Sequence, residues 1–164
     1  MKKLLLILTV FALPYVGFAQ LAKYQALYLY NFTRYIEWPT EYQSGDFTIG
    51  VMGSSTEIGT ELLDIASKRK VSNQTLVIEE FNSVKQIKKC HILFIPKKKM
   101  GEYATIVAAA KKYNTLIVTE ESYTPDNSAI NMVYADKKLK YDVNKPALAQ
   151  AGLKISDRLL AISN

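Results

Sequence analysis

Nineteen residues near the start of this chain, 21–39, hold its single Trp and four of its eleven Tyr. They constrain the fold more than any other stretch. Tyr24, Tyr28, Asn31, Tyr35 and Trp38 follow one another at spacings of 4, 3, 4 and 3, which lines one face of a helix over residues 21–38. Leu21, Gln25, Leu29, Phe32 and Ile36 line the neighbouring face, so the apolar arc is wide. Pro39 cannot continue the helix and biases Trp38 towards extended geometry. So aromatic a helix needs a core to be buried in. Core packing explains most of it; the sharper reading adds a partner-binding surface formed by Tyr28, Tyr35 and Trp38.

What precedes this helix reads as an export signal. Lys2 and Lys3 form a basic start, residues 4–16 an apolar run, and Gly17-Phe18-Ala19 places small residues where a signal peptidase cuts, between Ala19 and Gln20. The apolar run is short for a membrane span. Residues 1–19 are therefore expected to be removed, leaving a single domain, 20–164, in the periplasm. Without Lys2 and Lys3 the chain keeps 19 basic and 15 acidic residues, a net charge near +4. The basic residues come in short clusters such as Lys68-Arg69-Lys70 and Lys97-Lys98-Lys99, expected at solvated loop and helix ends. No recognition motif points to nucleic acid. One cysteine, Cys90, cannot form an internal disulfide, so the core must hold unstapled.

After Pro39 the chain alternates. A turn at Ser44-Gly45-Asp46 leads to a strand at 47–52, closed by Gly53. Ser54-Ser55-Thr56-Glu57 has the form of a capping box, with Ser54 as N-cap, and the helix it opens buries Ile58, Leu62, Ile65 and Ala66. A polar loop, 68–73, precedes a second strand at 75–78. Residues 90–95 are a nearly continuous apolar run, suited to a central strand buried on both faces. A helix over 99–113 is expected to bury Met100, Tyr103, Ala104, Val107 and Ala110, and a fourth strand follows at 116–119. Residues 129–134 and 139–143 form an antiparallel hairpin about residues 135–138. Asn144 caps a helix that ends at Gly152, and Ser156-Asp157 starts a last one burying Ile155, Leu159, Leu160 and Ile162. The whole is an α/β fold: one domain, a mostly parallel open sheet with an antiparallel edge hairpin, and helices on both faces.

The residues argue against catalysis. Any Ser-His-Asp arrangement must use His91, the single histidine. Ser54 and Ser55 lie past the C-terminal end of their strand and His91 at the start of its own, about 17–20 Å away at ~3.3 Å per residue. Cys90 and His91 are adjacent on a strand and point to opposite faces, so neither a catalytic site, a metal site nor a cofactor is expected. The turn Gly53-Ser54-Ser55 opens a helix and could cradle an anion, but it lacks the glycine and lysine pattern of a phosphate loop. Gly53, Ser54 and Lys97 remain candidates for a small-ligand crevice at the C-terminal strand ends.

Four segments together resemble the YfiR-like family of periplasmic regulators: residues 29–39, the strand end Val51-Met52-Gly53, the strand 90–95, and residues 141–160, from Tyr141-Asp142-Val143-Asn144 to Leu159-Leu160. The resemblance implies a binding protein that acts on the periplasmic part of a membrane signalling protein, a diguanylate cyclase or a histidine kinase. It also implies sequestration by an outer-membrane lipoprotein, and a homodimer stays open. The family pattern includes further cysteines, one near Gly50 and facing Cys90. Gly50 supplies no sulfur, so the resemblance implies no redox control through that pair here.

Overall fold

The computed structural model describes residues 15–121, 125–161 and 163, with side chains from Gln20 onwards. Residues 1–14, the first part of the expected signal peptide, and Ile162 of the last expected helix lie outside the described residues. Helix α1, Tyr15–Tyr35, is followed by the two-residue strand β1, Ile36–Glu37, and a 3-10 turn at Thr40–Tyr42. Then come β2 (Phe47–Met52), α2 (Glu57–Lys68), β3 (Lys70–Val71), β4 (Gln74–Phe81) and β5 (Ile92–Ile95). A 3-10 segment, Lys97–Glu102, runs into α3 (Tyr103–Ala110) and β6 (Leu116–Glu120). The chain closes with β7 (Ile130–Ala135), β8 (Lys138–Val143), α4 (Lys145–Gln150), β9 (Lys154–Ile155) and α5 (Asp157–Leu160).

Seven strands form one sheet in the order β3-β4-β2-β5-β6-β7-β8. The five inner strands are all parallel, and β3 and β8 add antiparallel edges. Side chains alternate across this sheet and so build two cores. Phe47, Ile49, Val51, Ile92, Phe94, Leu116 and Val118 point to the face covered by α1 and α2, while Leu93, Ile95 and Ile117 point to the face covered by Ile106 and Ala110 of α3. The expected architecture is thus present, and β2 falls between the turn residues expected to bound it.

Four local expectations need correction. The first helix ends at Tyr35, because Ile36 and Glu37 pair in antiparallel register with Ile155 and Lys154. Ser156 N–H donates to the Tyr35 carbonyl at 2.9 Å, which fixes that exit. The N-cap of α2 is Thr56, whose hydroxyl accepts from Gly59 N–H; Ser54 lies two residues earlier and Ser55 has φ 48°. The helix expected over 99–113 starts as 3-10 turns and becomes α-helical only after Gly101, a poor helix former; Ala104 is exposed and Ile106 carries the burial. Residues 68–73 are not all loop, since β3 turns back on Thr75 and Gln74 around Ser72, which has φ 53°.

The sheet is tightest at Gly50. A Cβ there would come within 2.6 Å of the Phe81 ring and 3.3 Å of the Cys90 sulfur, so the position has no room for a side chain. Cys90 itself is buried and unpaired, and burial pushes its thiol up to about 12. At neutral pH it stays a thiol and behaves as a small apolar residue.

Candidate functional site

Helix α1 crosses the sheet with a buried stripe of Ala22, Gln25, Ala26, Leu29, Phe32 and Thr33. Its flank towards β8 carries an aromatic cluster. Phe32 stacks on Tyr28 at 6.3 Å between ring centres and meets Tyr141 edge-on at 5.4 Å; Tyr28 also meets Tyr141 edge-on, at 5.6 Å. The phenols are used: Tyr28 donates to the Leu139 carbonyl at 3.1 Å and Tyr141 to the Leu159 carbonyl at 2.7 Å. Burial, helped by Tyr28, pushes the Tyr141 phenol up to about 12, so it remains a donor.

These residues surround a cavity of ≈ 230 Å³ lined by Tyr28, Asn31, Phe32, Tyr35, Tyr141, Arg158 and Leu159. The Arg158 guanidinium stands 5.7 Å from the Tyr35 ring centre and makes the rim electropositive. Helical spacing carries the same face outwards through Tyr24 and Leu27. Tyr24 is 48% exposed and Leu27 37%; the other exposed large apolar side chains among the described residues, Leu63 and Tyr134, sit singly on α2 and β7. A smaller space of ≈ 70 Å³ lies between α3 and α4, against Val107, Ala110, Ile117 and Ala147.

Tyr28 and Tyr35 are therefore brought together on one cavity, both half-buried. Trp38 is not with them. It lies past the helix end, donates to the Thr33 carbonyl at 3.4 Å, and packs edge-on against Phe47 at 5.2 Å and His91 at 5.5 Å. His91 has both ring nitrogens engaged by backbone: Nδ1 accepts from Thr48 N–H at 3.1 Å, and Nε2 meets the Tyr42 carbonyl at 2.8 Å, which makes it the protonated nitrogen. Neither is available to activate a hydroxyl.

The crevice candidates sit at the C-terminal ends of β2 and β5, where the strand order reverses direction. Gly53 is half-buried, with φ 130°; Ser54 and Lys97 are exposed. The donors there are already occupied by the chain's own carboxylates. Glu80, from β4, accepts from Ser55 N–H at 2.7 Å, Thr56 N–H at 2.8 Å and the Thr56 hydroxyl at 2.5 Å. Burial raises the Glu80 carboxyl, but these three hydrogen bonds outweigh it and hold it below the usual carboxylate range. Lys97 N–H donates to Glu120 at 3.3 Å, and its ammonium pairs with Glu121 at 3.7 Å. A Cβ at Gly59 would collide with the Glu80 carboxylate, so that glycine leaves room for it. Neither cavity described above touches Gly53, Ser54 or Lys97.

Glu80→Ala should leave those N–H groups to water and cost about 1.5–3 kcal/mol, the range for a hydrogen-bonded charged group. The loss should be present near neutral pH and shrink as pH falls below the usual carboxylate pKa, because the wild-type group is itself then neutralised. Urea unfolding at several pH values measures it; a pH-independent difference would assign the loss to packing alone.

A family model described as YfiR/HmsC-like matches residues 22–164, nearly the whole chain. No curated protein matches it.

Proposed function

Because the chain belongs to the YfiR/HmsC-like family, which implies a periplasmic regulator of a diguanylate cyclase rather than an enzyme, we propose that it docks on a membrane signalling protein through the outer flank of α1. The partner is the periplasmic part of a diguanylate cyclase or a histidine kinase, and an outer-membrane lipoprotein competes for the regulator. In this reading residues 1–19 direct export and are removed, and residues 20–35 of α1 remain to carry the surface.

One observation carries the docking reading: the exposed Tyr24 and Leu27 continue into a cavity walled by Tyr28 and Tyr35. Rigid aromatics beside a pocket are what an interface anchor needs, since a partner side chain can seat there with its water removed. Arg158 at the rim favours a partner carboxylate next to that anchor. Trp38 contributes by holding the chain past the end of α1 against Phe47 and His91, not by contact with the partner. The small-ligand reading at Gly53, Ser54 and Lys97 is weaker, because a ligand would first have to displace Glu80 from the amides it occupies.

A photo-crosslinking amino acid placed at residue 24 or 27 and activated in the intact periplasm tests the reading. The expected capture is an inner-membrane protein with a periplasmic segment and a cytoplasmic cyclase or kinase domain. Capture of such a protein only from positions on α3 would move the docking surface to the opposite face. Capture of a second copy alone would make the α1 flank a homodimer contact.

A further inference from the structure

We propose that His91 is a latch released by protonation: adding a proton to its ring detaches the strap of residues 38–46 from the base of the sheet. The ring sits between them. Its Nε2–H holds the Tyr42 carbonyl on the strap, and its Nδ1 accepts from Thr48 N–H in β2. Only the neutral ring with its proton on Nε2 meets both demands. A protonated ring is a donor at both nitrogens, so a second N–H would face the Thr48 N–H. The ring must then move, and the strap with it.

Aromatic rings enclose the ring, and among the described residues no carboxylate pairs with it. Phe47 stacks on it at 4.0 Å, and Trp38 and Tyr42 meet it edge-on at 5.5 and 5.1 Å. The charge bearing on it is Lys89, whose ammonium lies 4.0 Å from the Tyr42 ring centre. The carboxylates on the adjoining segments, Glu37, Glu41 and Asp46, are exposed. Cys90 is a neutral buried thiol, Tyr113 is half-buried, and the Tyr42 phenol is raised, chiefly by burial, and accepts from Asn114 N–H. Burial first, with Lys89 adding to it, holds the His91 pKa below its ordinary value against the opposing pull of the Tyr42 carbonyl. A released strap returns the ring to water and to a pKa of about 6.5. Protons therefore favour the released state as pH falls below about 6.5 and are indifferent above it.

The strap has further ties that set what release does. Gln74 donates to the Tyr42 carbonyl at 3.1 Å, Gln43 to the Trp38 carbonyl at 2.8 Å, and Trp38 to Thr33 of α1. Unlatching therefore loosens the last turn of α1 from below, whatever docks on its outer flank.

The chain has one Trp and one His, so the test is direct. Emission and acrylamide quenching of Trp38 are followed on the mature protein from about pH 8 to about pH 5, with imidazole titration by NMR on the same sample. The expected result is a reversible red shift and increased quenching with a one-proton midpoint below about 6.5, matching the imidazole midpoint, while sheet circular dichroism is retained. His91→Gln, which cannot take the proton, should abolish the transition. Protonation of the imidazole with no change at Trp38 would overturn the latch, as would a transition that persists in His91→Gln. Should that variant fail to fold, coincidence or separation of the two wild-type midpoints decides.

Discussion

Phe32→Ala is expected to destabilise the domain by about 3–5 kcal/mol, the largest effect of any single truncation in α1. Phe32 has no exposed surface and holds the aromatic cluster together through Tyr28 and Tyr141. The site cannot collapse to fill the gap, because it already borders a cavity of ≈ 230 Å³ that truncation would enlarge. That argues for the upper half of the range. Against a total stability of about 5–15 kcal/mol the loss is severe, and a melting point lower by roughly 10 °C or more should accompany it. Urea and thermal unfolding of purified protein measure it. A change below about 1 kcal/mol would mean that the cluster is far looser than its ring distances imply.

Substitutions on the outer flank of the same helix should show the opposite profile. Tyr24→Ala and Leu27→Ala remove exposed side chains and should alter stability by no more than about 0.5 kcal/mol. If the flank is the docking surface, either change, or Tyr35→Ala at the cavity wall, should weaken partner binding by about 2 kcal/mol or more, roughly thirtyfold in Kd. Trp38→Ala should behave like the core variant and lose stability, since its ring packs on Phe47 and His91. Titration of the partner's periplasmic fragment, paired with melting of each variant, separates the two classes. Loss of binding only in variants that also unfold would remove α1 from the interface.

Much of this architecture is legible in the residues because the deciding signals are local. Strand β2 is bounded by Ser44-Gly45-Asp46 and Gly53, and the β7–β8 hairpin turns at Asp136 and Lys137, both with positive φ as a tight hairpin demands. Asn144, Pro146 and Gly152 frame α4 as caps should. The failures are those in which a distant residue decides. The 3.6-residue pattern continues through Ile36, and pairing with the distant strand at Lys154–Ile155 is what pulls Ile36 and Glu37 out of the helix. Ser54 has the residue type of a cap, yet Glu80, 24 residues on from Thr56, sets the loop and moves the cap to Thr56. The candidate site divides the same way. The spacing of Tyr28 and Tyr35 places them together, whereas Tyr141 and Arg158, which complete the cavity, come from the other end of the chain. Leu27 lies outside both apolar faces that helical periodicity brings out, on the far side of the tyrosines from Leu29 and Phe32.

The β1–β9 ladder and the contacts beside it fix the order in which this domain can become complete. Tyr28 takes its hydrogen-bond acceptor 111 residues downstream, and Ile36 finds its pairing partner only at Ile155. Helix α1 emerges long before its partners from any machinery that delivers the chain end-on, and its flank towards β8 has nothing to pack against until residues 139–159 have arrived. Contacts this distant in sequence slow folding, because a long loop must close before they repay it. A nascent or half-delivered chain thus presents Tyr28, Phe32 and Tyr35 uncovered, and a truncation before Leu139 would leave them permanently in that state. Residues 154–159 are therefore the closing clasp of α1.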